Sequence, residues 1–252
     1  VIVPGVRFDN NSDYGSVWNP KLNAMYTPVP GTRIRAATGW SFKAPSAMQT
    51  SAEPITDGVY MWLDPDPDLE PERAFTWQIG VEQDLFDKRL VVGVTYYDTT
   101  IDHMITTVDT GAIRAGLPVY TYENIDKARL RGIEASANIQ IMDPLSLMLT
   151  YAFTDARNTK TDIRLPDTPE HAFGAQTDYT NRKYGFGATA TLKHTTDQLN
   201  SYYATHRYAK DFTTVGLKVW KDLGKSVRIS LMADNIFDEP LRGSDTIYVR
   251  RS

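Results

Sequence analysis

The sequence predicts an all-β chain that crosses a membrane as an antiparallel β-barrel, and three observations carry that prediction. The first is a strict alternation of residue character. Ile133, Ala135, Ala137, Ile139 and Ile141 are apolar, while Gly132, Glu134, Ser136, Asn138 and Gln140 between them are small or polar. After Met142-Asp143-Pro144 the pattern resumes, with Leu145, Leu147, Leu149, Tyr151 and Phe153 set against Ser146, Met148, Thr150, Ala152 and Thr154. A period of two means a strand with two unlike faces, and two such runs joined by a tight polar turn make a hairpin. The second observation is the connections, which alternate short and long along the chain. The third is the absence of any run of 18 apolar residues, which leaves no transmembrane helix. A strand that faces lipid on one side and a wet lumen on the other averages its two faces, so mild overall hydrophilicity is compatible with the membrane.

Composition sets outer bounds. The chain has 252 residues, net charge −4 and no cysteine. No basic excess points to nucleic acid, and neither a disulfide framework nor a thiolate metal site is available. The chain opens directly in a strand-like run, VIVPGVRFD, without a signal peptide, so its N-terminus reads as a cut boundary.

The elements follow in order. Val1 to Phe8 form a first strand, followed by a polar loop over Asp9–Ser16. Leu22, Ala24 and Tyr26 mark a second strand, turned at Pro28–Gly31. Ile34, Ala36, Thr38, Trp40 and Phe42 share one face of the third, opposite Arg35, Ala37, Gly39, Ser41 and Lys43. A non-periodic segment rich in Pro and Asp runs from Pro45 to Glu72. Phe75, Trp77, Ile79 and Val81 mark the fourth strand, and after the turn Asp87-Lys88-Arg89 come Leu90, Val92, Val94 and Tyr96 of the fifth, extending toward Ile105. A loop at Asp109–Pro118 leads into the opening hairpin, strands six and seven, and a loop at Thr159–Glu170 leaves it. Phe173, Ala175 and Thr177 belong to strand eight. Phe186, Ala188, Ala190 and Leu192 belong to strand nine, after the turn Asn181-Arg182-Lys183. A tyrosine-rich loop, Thr195–Asp211, precedes Val215, Leu217 and Val219, and Gly224-Lys225-Ser226 turns into Val227, Ile229, Leu231 and Ala233. From Leu241 onward there is no alternation.

This gives eleven strands with all short turns at one end and all long loops at the other. Membrane barrels have that asymmetry, and a soluble sandwich has no reason to repeat it five times.

Several segments also resemble a known family. GWSFKAPS (Gly39–Ser46) followed by DPDLEPE (Asp66–Glu72) is similar to paired barrel signatures of TonB-dependent outer-membrane receptors. NIDKARLRGIEAS (Asn124–Ser136), YAFTDAR (Tyr151–Arg157), LPDTPEH (Leu165–His171) and ADNIFDEP (Ala233–Pro240) resemble its later segments in the right order. The resemblance implies an outer-membrane location and a barrel of about 22 strands. Residues 1–252 would be its C-terminal portion, with the globular plug absent. It also implies TonB-dependent uptake of a scarce nutrient complex, a ferric siderophore first, with TonB engaged through the plug. A haem or cobalamin receptor of the same family is the alternative, as is a complete 12-stranded passive pore, which the strand count alone would fit. The family ends in a strand with a terminal aromatic, whereas this chain stops at YVRRS.

The candidate site residues fall into two groups. Trp62, Tyr202, Tyr203 and Arg207 lie on the long-loop side, where aromatic bodies and a guanidinium suit a bulky anionic iron chelate. Tyr60, Tyr120 and Tyr208 share that side, and Tyr96, Tyr151 and Phe153 are assigned to the aromatic girdle at the membrane interface. Arg35, Glu82, Arg131 and Glu134 are expected on the lumen face, together with Lys193, Lys218 and Arg228. Charge on a lipid face would cost several kcal/mol near the midplane, whereas lumen charges would meet a plug.

No metal site, cofactor or catalytic group is predicted. Asp64, Asp66 and Asp68 invite a calcium reading, but the EF-hand template wants glycine at its sixth position and a glutamate where Phe75 stands. Haem receptors of the family carry a histidine in the loop before DPDLEPE, and Met48–Pro65 has none. His206 is the best exposed of the four histidines. No G-x-S-x-G or same-face Ser–His pair supports hydrolysis, so an enzyme is not expected.

Overall fold

The computed structural model describes residues 1–11, 15–50, 53–56, 60–166, 168–196, 211–224 and 226–239. Most of them are in strands. The strands are β1 (Ile2–Asn11), β2 (Gly15–Tyr26), β3 (Thr32–Lys43), β4 (Ile55–Thr56), β5 (Trp62–Asp64), β6 (Glu72–Leu85), β7 (Leu90–Arg114), β8 (Leu117–Met142), β9 (Leu145–Asn158), β10 (His171–Asn181), β11 (Phe186–Thr196), β12 (Phe212–Leu223) and β13 (Val227–Ala233). One helical turn, α1 (Ala47–Thr50), follows β3.

All strands belong to one sheet, and its main path is β1-β2-β3-β6-β7-β8-β9-β10-β11-β12-β13. Every neighbour on that path is next in sequence apart from β4 and β5, so the wall is an antiparallel meander of the eleven strands expected. Among the described residues β1 pairs only with β2 and β13 only with β12, which leaves the sheet open at two edges.

Register fixes the two faces. Ile34, Val81, Val94, Ala135, Tyr151 and Phe173 are successive cross-strand partners on one face. On the other, Arg35, Gly80, Thr95, Glu134 and Ala152 are partners in the same way. A soluble sheet would bury the apolar face. Here it stays open, with Ile79 49%, Leu217 45% and Leu231 71% exposed. The described residues contain only a small buried cluster, Ala128, Ala156 and Leu165, where the loop after β9 returns onto the wall. The apolar face therefore has only lipid to meet.

Aromatic pairs bound that apolar band. Toward the long loops lie Phe8–Trp18, Trp40–Phe75, Trp77–Tyr96, Phe153–His171 and Tyr151–Phe173. Toward the short turns lies Tyr179–Phe186. Tyr96, Tyr151 and Phe153 are thus placed as a girdle would require.

Two expected loops are strand. The ladder of β1 and β2 continues through Asp9↔Val17 to Asn11↔Gly15, and that of β7 and β8 continues to Arg114↔Leu117. A membrane strand needs roughly 9–11 residues, whereas β7 has 25 and β8 has 26. The excess projects beyond the bilayer, where both faces are wet and apolar alternation is no longer required. This is why the pattern fades while the pairing persists. Likewise, the non-periodic segment after Pro45 contains the small hairpin β4–β5, whose second strand adds in parallel to β8.

Candidate functional site

The inner face is a trough whose walls run from β1 to β11. It encloses a cavity of about 850 Å³ lined by Arg35, Gln78, Glu82, Glu134, Gln176 and Lys193, among others. Alternation puts these polar side chains there, because their odd- and even-numbered neighbours form the apolar band. Small residues make room for them. A Cβ on Gly132 would meet the Phe153 carbonyl and stand 2.7 Å from the Tyr97 hydroxyl. Tyr97 can therefore lie flat across Gly132 and share a 2.7 Å hydrogen bond with the Thr154 hydroxyl. Sequence reasoning passed over Tyr97, although its parity, opposite to that of Tyr96, marks it as an inner-face residue.

Charge on the trough is grouped toward β3 and β6. Arg33 bonds both Glu82, at 2.5 Å, and Asp84, and Arg35 reaches Glu82 at 3.4 Å. Glu134 and Lys193 face the same cavity and have no ion-pair partner among the described residues. Arg228 bonds Asp222 at 2.7 Å and lies over the Trp220 ring.

Arg131 departs from the expected placement. It keeps step with Ile133, pairing across to Asp98 on β7 and Asp155 on β9, so it stands on the outer face and not on that of Glu134. Its charge is tolerated there because it lies one outward position beyond the Tyr96–Ile133–Phe153 row. There it bonds Asp155 at 3.0 Å.

At the long-loop end the segment before β6 is tied to the wall. The Asn124 side-chain carbonyl accepts the Glu70 N–H at 2.7 Å. Its amide nitrogen donates to the carbonyls of Glu70 at 3.0 Å and His103 at 2.7 Å. Glu72 accepts the Ile105 N–H at 2.9 Å and pairs with Lys43 at 3.3 Å. Trp62 lies under the Arg114 guanidinium, 5.1 Å from its ring centroid, and its buried indole nitrogen has no hydrogen-bond partner among the described residues. Arg114 in turn forms a bidentate pair with Asp64 at 2.7 Å on both arms, which raises its already high pKa. Trp62 thus helps fasten β5 to the β7–β8 projection, and one face of its ring is occupied. Tyr60, by contrast, is exposed.

The three loop aspartates do not converge: Asp64 serves Arg114, and Asp66 accepts the Asp68 N–H at 2.9 Å. Among the histidines, His103 pairs with Glu70 at 2.8 Å, His171 bonds the Tyr151 hydroxyl and His194 the Thr213 hydroxyl. Tyr202, Tyr203, His206, Arg207 and Tyr208 lie outside the described residues.

Comparison with known proteins agrees with this geometry. Residues 1–236 match the family described as TonB dependent receptor-like, beta-barrel. The chain is similar to the ferrienterobactin receptor of Escherichia coli K12, at 25% identity over 96% of this chain and 35% of that protein. It is also similar to the ferric enterobactin receptor of Pseudomonas aeruginosa, at 23% identity over 96% and 36%. It therefore spans about a third of the length of those relatives. A solved structure of the P. aeruginosa ferric enterobactin receptor PfeA, carrying Q482A and in complex with enterobactin, superposes with TM-score 0.72 at 21% identity, covering 94% of this chain and 37% of that one. The siderophore receptor PirA of the same organism gives TM-score 0.71 at 19% identity, with 96% and 43% coverage.

Proposed function

Because the chain belongs to the TonB-dependent receptor β-barrel family, we propose that it forms part of the outer-membrane wall of a receptor that imports a ferric siderophore by a TonB-driven route. The observation that carries this reading is the division of the wall, an exposed apolar band outside and a charged trough of about 850 Å³ inside. Relatives named for ferric enterobactin, and a fold neighbour named as a siderophore receptor, support an iron chelate as cargo.

On this reading residues 1–252 are the C-terminal portion of a larger barrel, and the two sheet edges left open among the described residues pair with further wall. Unpaired edge groups in lipid cost several kcal/mol each, so the sheet formed by the described residues is not expected to stand alone in a membrane. Glu134, Lys193, Arg35 and Glu82 line the trough where a plug would sit. A plug carrying complementary charges would be held by them and released when those contacts break. Tyr202, Tyr203 and Arg207 are the proposed chelate contacts, with Trp62 next. No catalytic role is assigned.

The test is equilibrium binding of ferric enterobactin, haem and cobalamin to the full-length receptor. Ferric enterobactin is expected to bind. Alanine at Tyr202, Tyr203 or Arg207 is expected to cost about 2 kcal/mol where the residue is a true anchor, roughly thirtyfold in affinity. Binding of haem or cobalamin with no affinity for the ferric chelate would contradict the reading.

A further inference from the structure

The ribbon that β7 and β8 form beyond the membrane has two unlike faces. The two strands keep one register from Leu90↔Ile139 to Asp109↔Tyr120, so the alternation that puts Glu134 in the trough can be followed outward residue by residue. Asn124, Tyr122 and Tyr120 keep step with Glu134 and face the vestibule above the trough. Ile125, Glu123 and Thr121 keep step with Ile133 and stand on the outer side.

β5 divides in the same way. Trp62 and Asp64 are register partners of Val119 and Thr121, and they lock onto Arg114 on the outer side. Leu63 is the partner of Tyr120 and shares the vestibule side with it.

The vestibule side is partly enclosed. Tyr120 and Tyr122 are half-buried and lie two residues apart on one strand, hence about 7 Å apart on one face. Leu63 borders Tyr120 on one flank, and on the other Asp109 and Thr107 of β7 stand opposite the two tyrosines. The Asp109 carboxylate is turned back onto the Gly111 N–H at 2.8 Å. One step nearer the membrane, Asn124 holds the Glu70 peptide against the same face and closes the lower end. Among the described residues neither phenol hydroxyl makes a hydrogen bond. Burial pushes the Tyr122 phenol above its ordinary pKa, so it keeps its proton at neutral pH and can donate it in a hydrogen bond.

This spacing selects a ligand chemistry. Two rings about 7 Å apart admit one flat ring between them, at about 3.5 Å from each. A phenol hydroxyl donates well to the oxygen atoms of an anionic iron chelate. We propose that Tyr120 and Tyr122 hold a planar aryl group of the iron chelate between their rings at the mouth of the receptor. The assignment rests on the siderophore reading of this chain. It ranks these two residues ahead of Trp62, whose ring is held on the other side of the ribbon. Asn124 from below and β5 from the side brace the ribbon, which keeps the slot at its working width.

The test uses full-length receptor in detergent, with ferric enterobactin as the aryl probe and a ferric trihydroxamate without aromatic rings as competitor. Equilibrium binding is compared for wild type, Tyr120→Ala/Tyr122→Ala, Tyr120→Phe/Tyr122→Phe and Thr106→Ala. Thr106 pairs with Glu123 and so alters the outer side of the ribbon near the same height. The alanine pair should weaken binding about thirtyfold or more, the phenylalanine pair should recover most of that loss, and Thr106→Ala should match wild type. The trihydroxamate should compete at least about tenfold less well than unlabelled ferric enterobactin. Should the alanine pair fail to fold, Tyr122→Trp supplies a second readout. Bound chelate should quench the added indole emission, and the emission added by Thr106→Trp should be unaffected. Wild-type affinity in the alanine pair, an equal loss in the phenylalanine pair, equal competition by the trihydroxamate, or an unquenched indole at position 122 would overturn the slot. Failure of the wild type to bind ferric enterobactin at all would instead overturn the siderophore reading, and the slot with it.

Discussion

The side-chain amide of Asn124 brackets the peptide of Glu70, accepting its N–H at 2.7 Å and donating to its carbonyl at 3.0 Å. The third bond, to the His103 carbonyl at 2.7 Å, ties the same amide to β7. One residue on β8 therefore fixes the point at which the long segment after β3 rejoins the wall.

Replacing Asn124 with alanine removes all three bonds at a site open to water. Each net hydrogen bond is worth about 1 kcal/mol, so the barrel should persist while residues 60–71 loosen. Hydrogen exchange should show faster exchange at the Glu70 amide and in β5, with the β9–β10 ladder unchanged. Unaltered exchange at Glu70 would mean that Asn124 does not hold the segment.

Gly132 faces a different constraint, since a Cβ there would collide with the Phe153 carbonyl and the Tyr97 ring. Overpacking of this kind costs about 1–3 kcal/mol. Gly132→Ala should lower the urea midpoint of the lipid-reconstituted receptor by a corresponding amount. Adding Tyr97→Ala should recover only part of the loss, because the carbonyl contact remains. Full recovery would place all of the strain on the tyrosine.

The two faces of β8 should respond oppositely to charge. Ala137 lies mid-band on the outer face between Val92 and Leu149, and Asn138 lies on the inner face between Val91 and Met148. Ala137→Arg should cost about 2–4 kcal/mol in unfolding from lipid, and Asn138→Arg less than about 1 kcal/mol. Spin labels at successive positions from Ile133 to Ile141 should report alternating lipid and water accessibility. Equal penalties, or uniform accessibility, would reject the assignment of faces.

The fold was legible in the sequence wherever lipid enforced alternation. Ile133 to Ile141 had to be apolar at every second position, so their strand, its faces and its partners could be read directly. Where β7 and β8 leave the bilayer that requirement lapses, and Asp109 to Pro118 reads as loop although the two strands, after a register shift, go on pairing as far as Arg114↔Leu117. Arg131 was misplaced for a related reason. Charge suggested the lumen, but its step with Ile133 put it on the outer face, where the headgroup region removes the penalty. The grip of Asn124 on Glu70 was visible only as two short motifs far apart in sequence. Their link is a tertiary contact that no local pattern encodes.

Energised import of a ferric siderophore, through a barrel of which this chain is a part, is tested most directly by uptake. Cells carrying the full-length receptor as their sole route for the chelate would be given radioactive iron bound to enterobactin, with the TonB motor intact or removed. Saturable accumulation that requires both the receptor and the motor is the predicted result. Accumulation that persists at the same rate without the motor, or rises linearly with concentration as through an open pore, would contradict it.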